Sequence, residues 1–212
     1  MIPELAGISD EARAELEQIF HPYTARRGGY LCYPEDDATT LYYVKEGWVR
    51  LFQLGGKEEE ITLTVVGQGE IFGEAALFTG HKYGVFAEPL VDCELLTAAR
   101  EDLTRVASRF PDTQRALLVM LIRRLRRAED RLRDLRFKEV LPRLAKTLLE
   151  VMQKGEEGLE IVLTHQDLAH IIGSTRETVS KVLADLALED VLELGYRRIL
   201  VLKPQALQEI SR

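Results

Sequence analysis

Cysteine is scarce: Cys32 and Cys93 are the only two in 212 residues. Two thiols cannot supply the disulfide framework that small secreted folds use in place of a core, nor a four-cysteine zinc or iron–sulfur site within one chain. Nothing basic flanks either closely, so neither reads as a redox-sensing thiolate, and both read as small buried side chains. Long apolar runs are also missing. The longest, Ala116 to Ile122, falls far short of the roughly 18 residues a membrane span needs. Met1-Ile2-Pro3-Glu4 lacks the basic-then-apolar pattern of a signal peptide. The cytoplasm is the expected location, with no membrane partner. No nucleophile–base pair, metal-ligand cluster or complete phosphate-binding glycine motif is visible, and Gly67-Gln68-Gly69 matches no full fingerprint. Neither an enzyme nor a metal site is expected.

Basic charge is in deficit overall, with a net charge of −7, but the deficit is uneven. Residues 1–111 carry 10 Lys+Arg against 19 Asp+Glu, residues 112–137 carry 8 against 4, and residues 138–212 carry 10 against 12. Binding to DNA requires a local basic face rather than a basic protein, so this balance leaves a nucleic-acid partner open.

What is present falls into three textures. Ser9 and the apolar residues Ala12, Leu16 and Ile19 read as a capped short helix over 9–20. From about 23 to 99, short β-branched and aromatic runs alternate with turns. The runs are Leu41–Val44, Trp48–Leu54, Glu60–Val66, Ile71–Phe72, Tyr83–Ala87 and Cys93–Leu96. Strands and turn signals at this density predict an antiparallel β-sandwich or roll. Asp112 to Arg136 then has neither Gly nor Pro, and Leu118, Leu121, Leu125, Ala128, Leu132 and Leu135 repeat at spacings of 3, 4, 3, 4 and 3. That is the seam of a coiled coil, read here as a homodimer interface, the alternative being a single amphipathic helix lying on the β-domain, with the surrounding arginines solvated or paired with Glu129, Asp130 and Asp134. Phe137-Lys138 reads as a hinge, Glu139 to Gln153 as a second helix with Pro142 in its first turn, Lys154 to Gly158 as a turn, and Leu159–Leu163 as a strand. The expected domains are therefore 1–111, 112–137 and 138–212.

The C-terminal third carries the most chemistry. Thr164-His165-Gln166-Asp167 has the form of a capping box, and Leu168, Ile171 and Ile172 give its helix a buried side. Gly173 supplies a sharp turn. Ser174-Thr175-Arg176-Glu177 reads as a second capping box, opening a helix with Val179, Val182, Leu183 and Leu186 inward. Two short helices joined by a glycine turn form a helix-turn-helix, whose second helix meets base edges through its first residues. Arg176, Glu177, Ser180 and Lys181 are the candidates for base contact: Arg matches the acceptor pair of guanine and Glu the amino group of cytosine. Thr164, Thr175 and Thr178, with Arg197 and Arg198 at the tip of a following β-hairpin (Val191–Leu194, Ile199–Leu202), are the candidates for phosphate contact.

With these residues in view, the chain resembles the cyclic-AMP receptor protein/FNR (CRP/FNR) family of bacterial transcription regulators over about residues 15–205. The resemblance implies an α+β fold with an N-terminal antiparallel β-roll like a cyclic-nucleotide-binding domain, a long dimerisation helix and a C-terminal winged helix-turn-helix. It implies double-stranded DNA, RNA polymerase and a second copy of the chain as partners, with Arg176, Glu177 and Lys181 on bases. Lys181 departs from the usual arginine and donates as a point charge rather than a fork. Phe72-Gly73-Glu74-Ala75-Ala76-Leu77-Phe78 resembles the family's phosphate-binding segment, and Leu41-Tyr42-Tyr43-Val44-Lys45-Glu46-Gly47 an early strand and turn of the roll. Gly73, Glu74, Tyr83, Gly84 and Glu129 mark the corresponding effector pocket. Where cyclic-AMP binders carry an Arg-Ser pair, however, this chain has Tyr83-Gly84, and Ala128-Glu129 stands where their dimer helix offers hydroxyls to adenine. Burying a phosphate without a cation is costly, so no cofactor is expected and Gly73 and Glu74 read as turn residues. Cyclic AMP, haem on His81, or another small ligand in the roll are the effectors weighed against that expectation. The implied function is an activator acting on a two-fold symmetric site. The competing reading is a ligand-sensing module that acts on a protein partner.

Overall fold

A computed structural model describes residues 7–56, 60–74, 82–155, 158–196 and 198–211, apart from the side chains of residues 135–137. His81, Arg197 and Ala75–Phe78, singled out above, lie outside the described residues, as does the side chain of Leu135. The chain forms two compact units; the division falls inside one long helix, between Ala128 and Glu129, and Glu60–Thr62 is counted with the second unit.

In the first unit a short helix, α1 (Asp10–Ile19), is capped by Ser9, whose hydroxyl accepts from Ala12 N, as the sequence predicts. Two antiparallel sheets follow. One orders its strands β1 (His21–Ala25), β7 (Cys93–Ala99), β2 (Thr40–Glu46) and β5 (Ile71–Phe72); the other orders β4 (Glu60–Val66), β3 (Val49–Leu54) and β6 (Phe86–Pro89). β2 explains why the roll needs so many β-branched and aromatic residues. It is interior to its sheet and buried on both faces. Leu41 and Tyr43 face a core built with Leu16, Leu103, Val106, Leu117 and Met120. Tyr42 and Val44 face a second core with Val49, Leu51, Phe72, Ala87 and Leu95. Period-two alternation sends neighbours to opposite faces, and here each face meets its own apolar layer.

Two elements depart from the sequence reading. Residues 100–109, to which the sequence reading assigned no element, form a helix, α2 (Arg100–Arg109); its buried side is only Leu103, Val106 and Ala107 amid charged residues. The strand expected from Tyr83 begins at Phe86, because Tyr83 and Gly84 are held by loop contacts: their backbone N–H groups donate to Asp36 O and Pro34 O.

The long helix, α3, runs Pro111–Phe137. Its inward face is apolar at Ala116, Leu117 and Met120 and then turns cationic: Arg124 pairs with Glu74 and Arg127 with Glu70. The arginines read as solvated or locally paired thus include two that reach back to the roll; Arg133 does pair locally, with Asp130.

The second unit holds α4 (Val140–Val151), the four-stranded sheet β10 (Leu192–Gly195), β11 (Arg198–Val201), β9 (Gly158–Ile161) and β8 (Gln153–Gly155), and the helices α5 (His165–Ile172), α6 (Arg176–Leu188) and α7 (Pro204–Ile210). The segment read as a bare turn after α4 is the end of a small hairpin in which Lys154 pairs with Leu159. α3 and α4 are tied across the break at Lys138-Glu139 by one carboxylate, since Asp134 accepts from Lys146 at 2.5 Å and lies 3.6 Å from Lys138.

Candidate nucleic-acid interface

The start of α5 is fixed by a reciprocal cap. Thr164 Oγ1 accepts from Asp167 N, while the buried Asp167 carboxylate accepts from both Thr164 N and Thr164 Oγ1. The end is fixed by Gly173, which sits in the left-handed region at φ 63°, ψ 54°, a conformation a side chain opposes. The last carbonyls of a helix lack partners of their own. Here Arg131 of α3 donates to Ile171 O, and Arg143 of α4 donates to Ile172 O at 2.8 Å. The turn between the two helices is therefore held from both neighbouring helices.

α6 starts one residue later than the sequence box implies. Its cap is Thr175, whose hydroxyl accepts from Thr178 N, rather than Ser174 closed by Glu177. The shift matters chemically because Glu177 is released from capping. It finds no hydrogen-bond partner among the described residues and stands exposed beside exposed Arg176. Val179, Leu183 and Leu186 are buried, as are Leu168, Ala169, Ile171 and Ile172 of α5, the helix on which α6 packs. The opposite face presents Arg176, Glu177 and Lys181, with Ser180 half-buried between them. This is the set the sequence names, brought together on one side of the first two turns.

The hydroxyls fare differently. Phosphate oxygens accept only, so a threonine must donate to them. Thr164 already donates to Asp167. Thr175 and Thr178 lie 2.9 Å apart, oxygen to oxygen, so one donates to the other and one hydroxyl proton remains for a phosphate. The hairpin β10–β11 pairs Gly195 with Arg198; Arg198 is half-buried and Tyr196 is 91% exposed.

One residue the sequence reading passed over joins this face. His165, at the first turn of α5, places Nδ1 2.9 Å from Ser180 Oγ. Burial, and then the positive charge of Arg176, hold its pKa below the ordinary histidine value. The signal lies in the motif itself: in a helix-turn-helix the first residue of one helix crosses the early turns of the next.

In the roll, Glu74 is buried, one oxygen paired with Arg124 and the other without a partner among the described residues. Gly73 holds φ 85°, and a Cβ there would sit 2.8 Å from Thr40 O. Tyr83 is buried, its hydroxyl accepting from Thr40 N (3.1 Å) and donating to Thr40 O (2.9 Å), its ring tilted against Tyr42, which stacks on Phe72. Gly84 O accepts from Gln53. Glu129 is exposed on α3, in the second unit. A buried cation that the sequence reading missed, Arg50, lies 2.7 Å from Glu88 and over the ring of Phe52. Burial pushes Cys32 up to about 12 and raises Cys93 as well, so both thiols stay protonated at neutral pH.

The seam residues divide. Leu118, Leu125, Ala128 and Leu132 are exposed, whereas Leu121 packs against the roll's own core; Ile122 and Val119, not counted in the heptad, are exposed in its stead. No helix among the described residues is long and apolar enough to cross a membrane.

Residues 24–110 match the cyclic nucleotide-binding domain, and residues 142–210 match the Crp-like helix-turn-helix domain. Among curated relatives, the cyclic AMP receptor protein of Thermus thermophilus is 38% identical over 187 residues, covering 87% of this chain and 85% of that one. Among solved structures, a CRP-family transcriptional regulator of Thermus thermophilus is 30% identical with a TM-score of 0.72, covering 89% of this chain and 96% of that one. FixK2 of Bradyrhizobium japonicum shares the fold at a TM-score of 0.80 and 24% identity, covering 92% and 98%.

Proposed function

Because the chain belongs to the CRP/FNR family of DNA-binding transcription regulators, we propose that it acts as a homodimeric activator on a two-fold symmetric DNA site, without needing cyclic AMP. The observation that carries the DNA reading is the exposed trio Arg176, Glu177 and Lys181 on the opening turns of a helix capped at both shoulders of its turn. Arg176 and Lys181 would donate to guanine acceptors and Glu177 would accept from cytosine. Thr175 or Thr178, with Arg197 and Arg198, would hold the backbone.

The dimer reading is supported by an apolar stripe that a lone chain leaves in water: Leu118 (59% exposed), Ile122, Leu125 (61%) and Leu132 (68%) lie at helical spacing along α3. The effector-independent reading is supported by how the roll treats its charges. Among the described residues at the family's phosphate subsite, Tyr83 brings a neutral, internally bonded hydroxyl and Arg124 is already matched by Glu74, so these do not fit a cyclic phosphate. Activation would proceed through RNA polymerase. The proposed working division is 1–111 as effector-type roll, 112–137 as dimer helix and 138–212 as DNA-binding domain, in the cytoplasm, with no catalytic activity.

Selecting sites from random duplex DNA with the purified protein, with and without cyclic AMP, tests this. A symmetric motif recovered equally in both arms is the expected result. Enrichment only with the nucleotide would overturn effector independence, and a motif lacking two-fold symmetry would overturn the dimer.

A further inference from the structure

We propose that His165 is a positioning residue of the DNA interface that fixes which hydrogen bond Ser180 offers to the groove, and that it does so in response to protonation. The proposal rests on the DNA-binding reading above.

Ser180 is half-buried on the reading face, between exposed Glu177 and Lys181, and its hydroxyl lies 2.9 Å from Nδ1 of His165. A serine hydroxyl donates once and accepts twice, whereas Nδ1 of a neutral imidazole either donates or accepts. When Nδ1 accepts, the Ser180 proton is used up inside the protein and only lone pairs face outward. When the ring is protonated, Nδ1 can only donate. Ser180 Oγ must then accept from it, and the hydroxyl proton is turned outward beside Arg176 and Lys181. An outward donor suits guanine N7 and O6 or thymine O4; outward lone pairs suit the amino groups of adenine and cytosine. Starting from the neutral tautomer whose Nδ1 accepts, protonation of a residue that need not touch a base thus reverses the polarity of one that faces the groove.

The surroundings set when this happens. The charged group facing His165 from α6 is Arg176, which together with burial disfavours the imidazolium in the free protein. On α5, Asp167 is committed to the Thr164 cap and Gln166 to His170; on α6, Lys181 follows Ser180 and adds positive charge. DNA reverses that balance. Arg176 engages the duplex and phosphates bring negative charge to the start of α5, so the bound state favours the imidazolium. Binding then takes up a proton, and affinity rises as pH falls.

The test is fluorescence anisotropy with a duplex carrying the selected site, between about pH 8.5 and pH 5.5, alongside duplexes varied at the position that Ser180 faces. A pKa rise of about one unit on binding gives up to about a tenfold gain in affinity across this range. His165→Gln, which cannot be charged, should bind with a flat profile and a thermal midpoint close to that of the parent. His170→Gln should keep the slope. Ser180→Ala should keep most of the slope but lose the pH-dependent change in base preference. An unaltered slope in His165→Gln, or a base preference that does not move with pH in the parent, overturns the proposal while leaving the regulator reading standing. Failure to bind any duplex at any pH overturns both.

Discussion

The roll interior and the reading face of α6 handle charge in opposite ways. In the roll, Glu74 meets Arg124, Glu70 meets Arg127, Arg50 meets Glu88, and the Tyr83 hydroxyl closes on Thr40. On α6, Arg176, Glu177 and Lys181 stand exposed. A buried charge without a partner costs several kcal/mol, so a region whose ions are matched from within has little electrostatic reason to bind another. A surface that holds its charges apart, with the helix beneath pinned by caps, keeps them for a ligand. The contrast separates stability from recognition and predicts which substitutions alter which property.

The largest break should come from outside both regions. Leu125→Lys on the exposed stripe of α3 is expected to give monomers and abolish specific DNA binding, measured by sedimentation and by titration of the selected duplex. A variant that stays dimeric would remove the seam. Next, Arg176→Ala should cost ~1–3 kcal/mol at the specific site and relax one base position, with thermal stability unchanged. Glu74→Gln should do the reverse, lowering thermal stability by about 1–2 kcal/mol, since Arg124 is partly exposed, while leaving the affinity of the folded protein for DNA intact. Equal effects of these two substitutions on both measurements would erase the contrast. Thr175→Ala should cost about 1 kcal/mol through the lost cap.

The smallest effect is one of pH. Burial raises the Asp134 pKa, but the hydrogen bond and charge of Lys146, with Lys138, outweigh it, so the carboxyl lies below its ordinary range. A depressed folded value means that the contribution is complete above the unfolded pKa, near 4, and is lost as pH falls through the folded one. Melting curves at neutral pH and near pH 3 should show Asp134→Asn losing less on acidification than the parent.

Much of this architecture is written in local pattern. β-branched runs with turn signals, a long stretch without Gly or Pro, and the Thr164–Asp167 and Gly173 punctuation mark the roll, the long helix and the helix-turn-helix, because each reports on its own few residues. The misses share a cause, which is that their partners lie far off in sequence. Leu121 fits the heptad as well as Leu118 does, and only the roll's core, against which it packs, turns it inward. Arg124 and Arg127 look like ordinary solvated side chains until β5 and its flanks bring Glu74 and Glu70 to them. The helix Arg100–Arg109 hides because its buried stripe is only three residues wide. At the site, the choice between Ser174 and Thr175 as cap turns on one residue of register, and the bond between His165 and Ser180 spans 15 positions, beyond the reach of any periodicity.

The grip of Arg131 and Arg143 on Ile171 O and Ile172 O has a consequence for entropy. Those carbonyls end α5 just before the turn, so two cations from neighbouring helices brace the point about which α5 and α6 would otherwise pivot. A recognition element that flexes must surrender that freedom on meeting its target, at a cost set against its contacts. Here the freedom is surrendered during folding. On the proposed DNA-binding reading, the two helices would meet the groove already braced, and less of the contact energy of α6 would be offset by ordering.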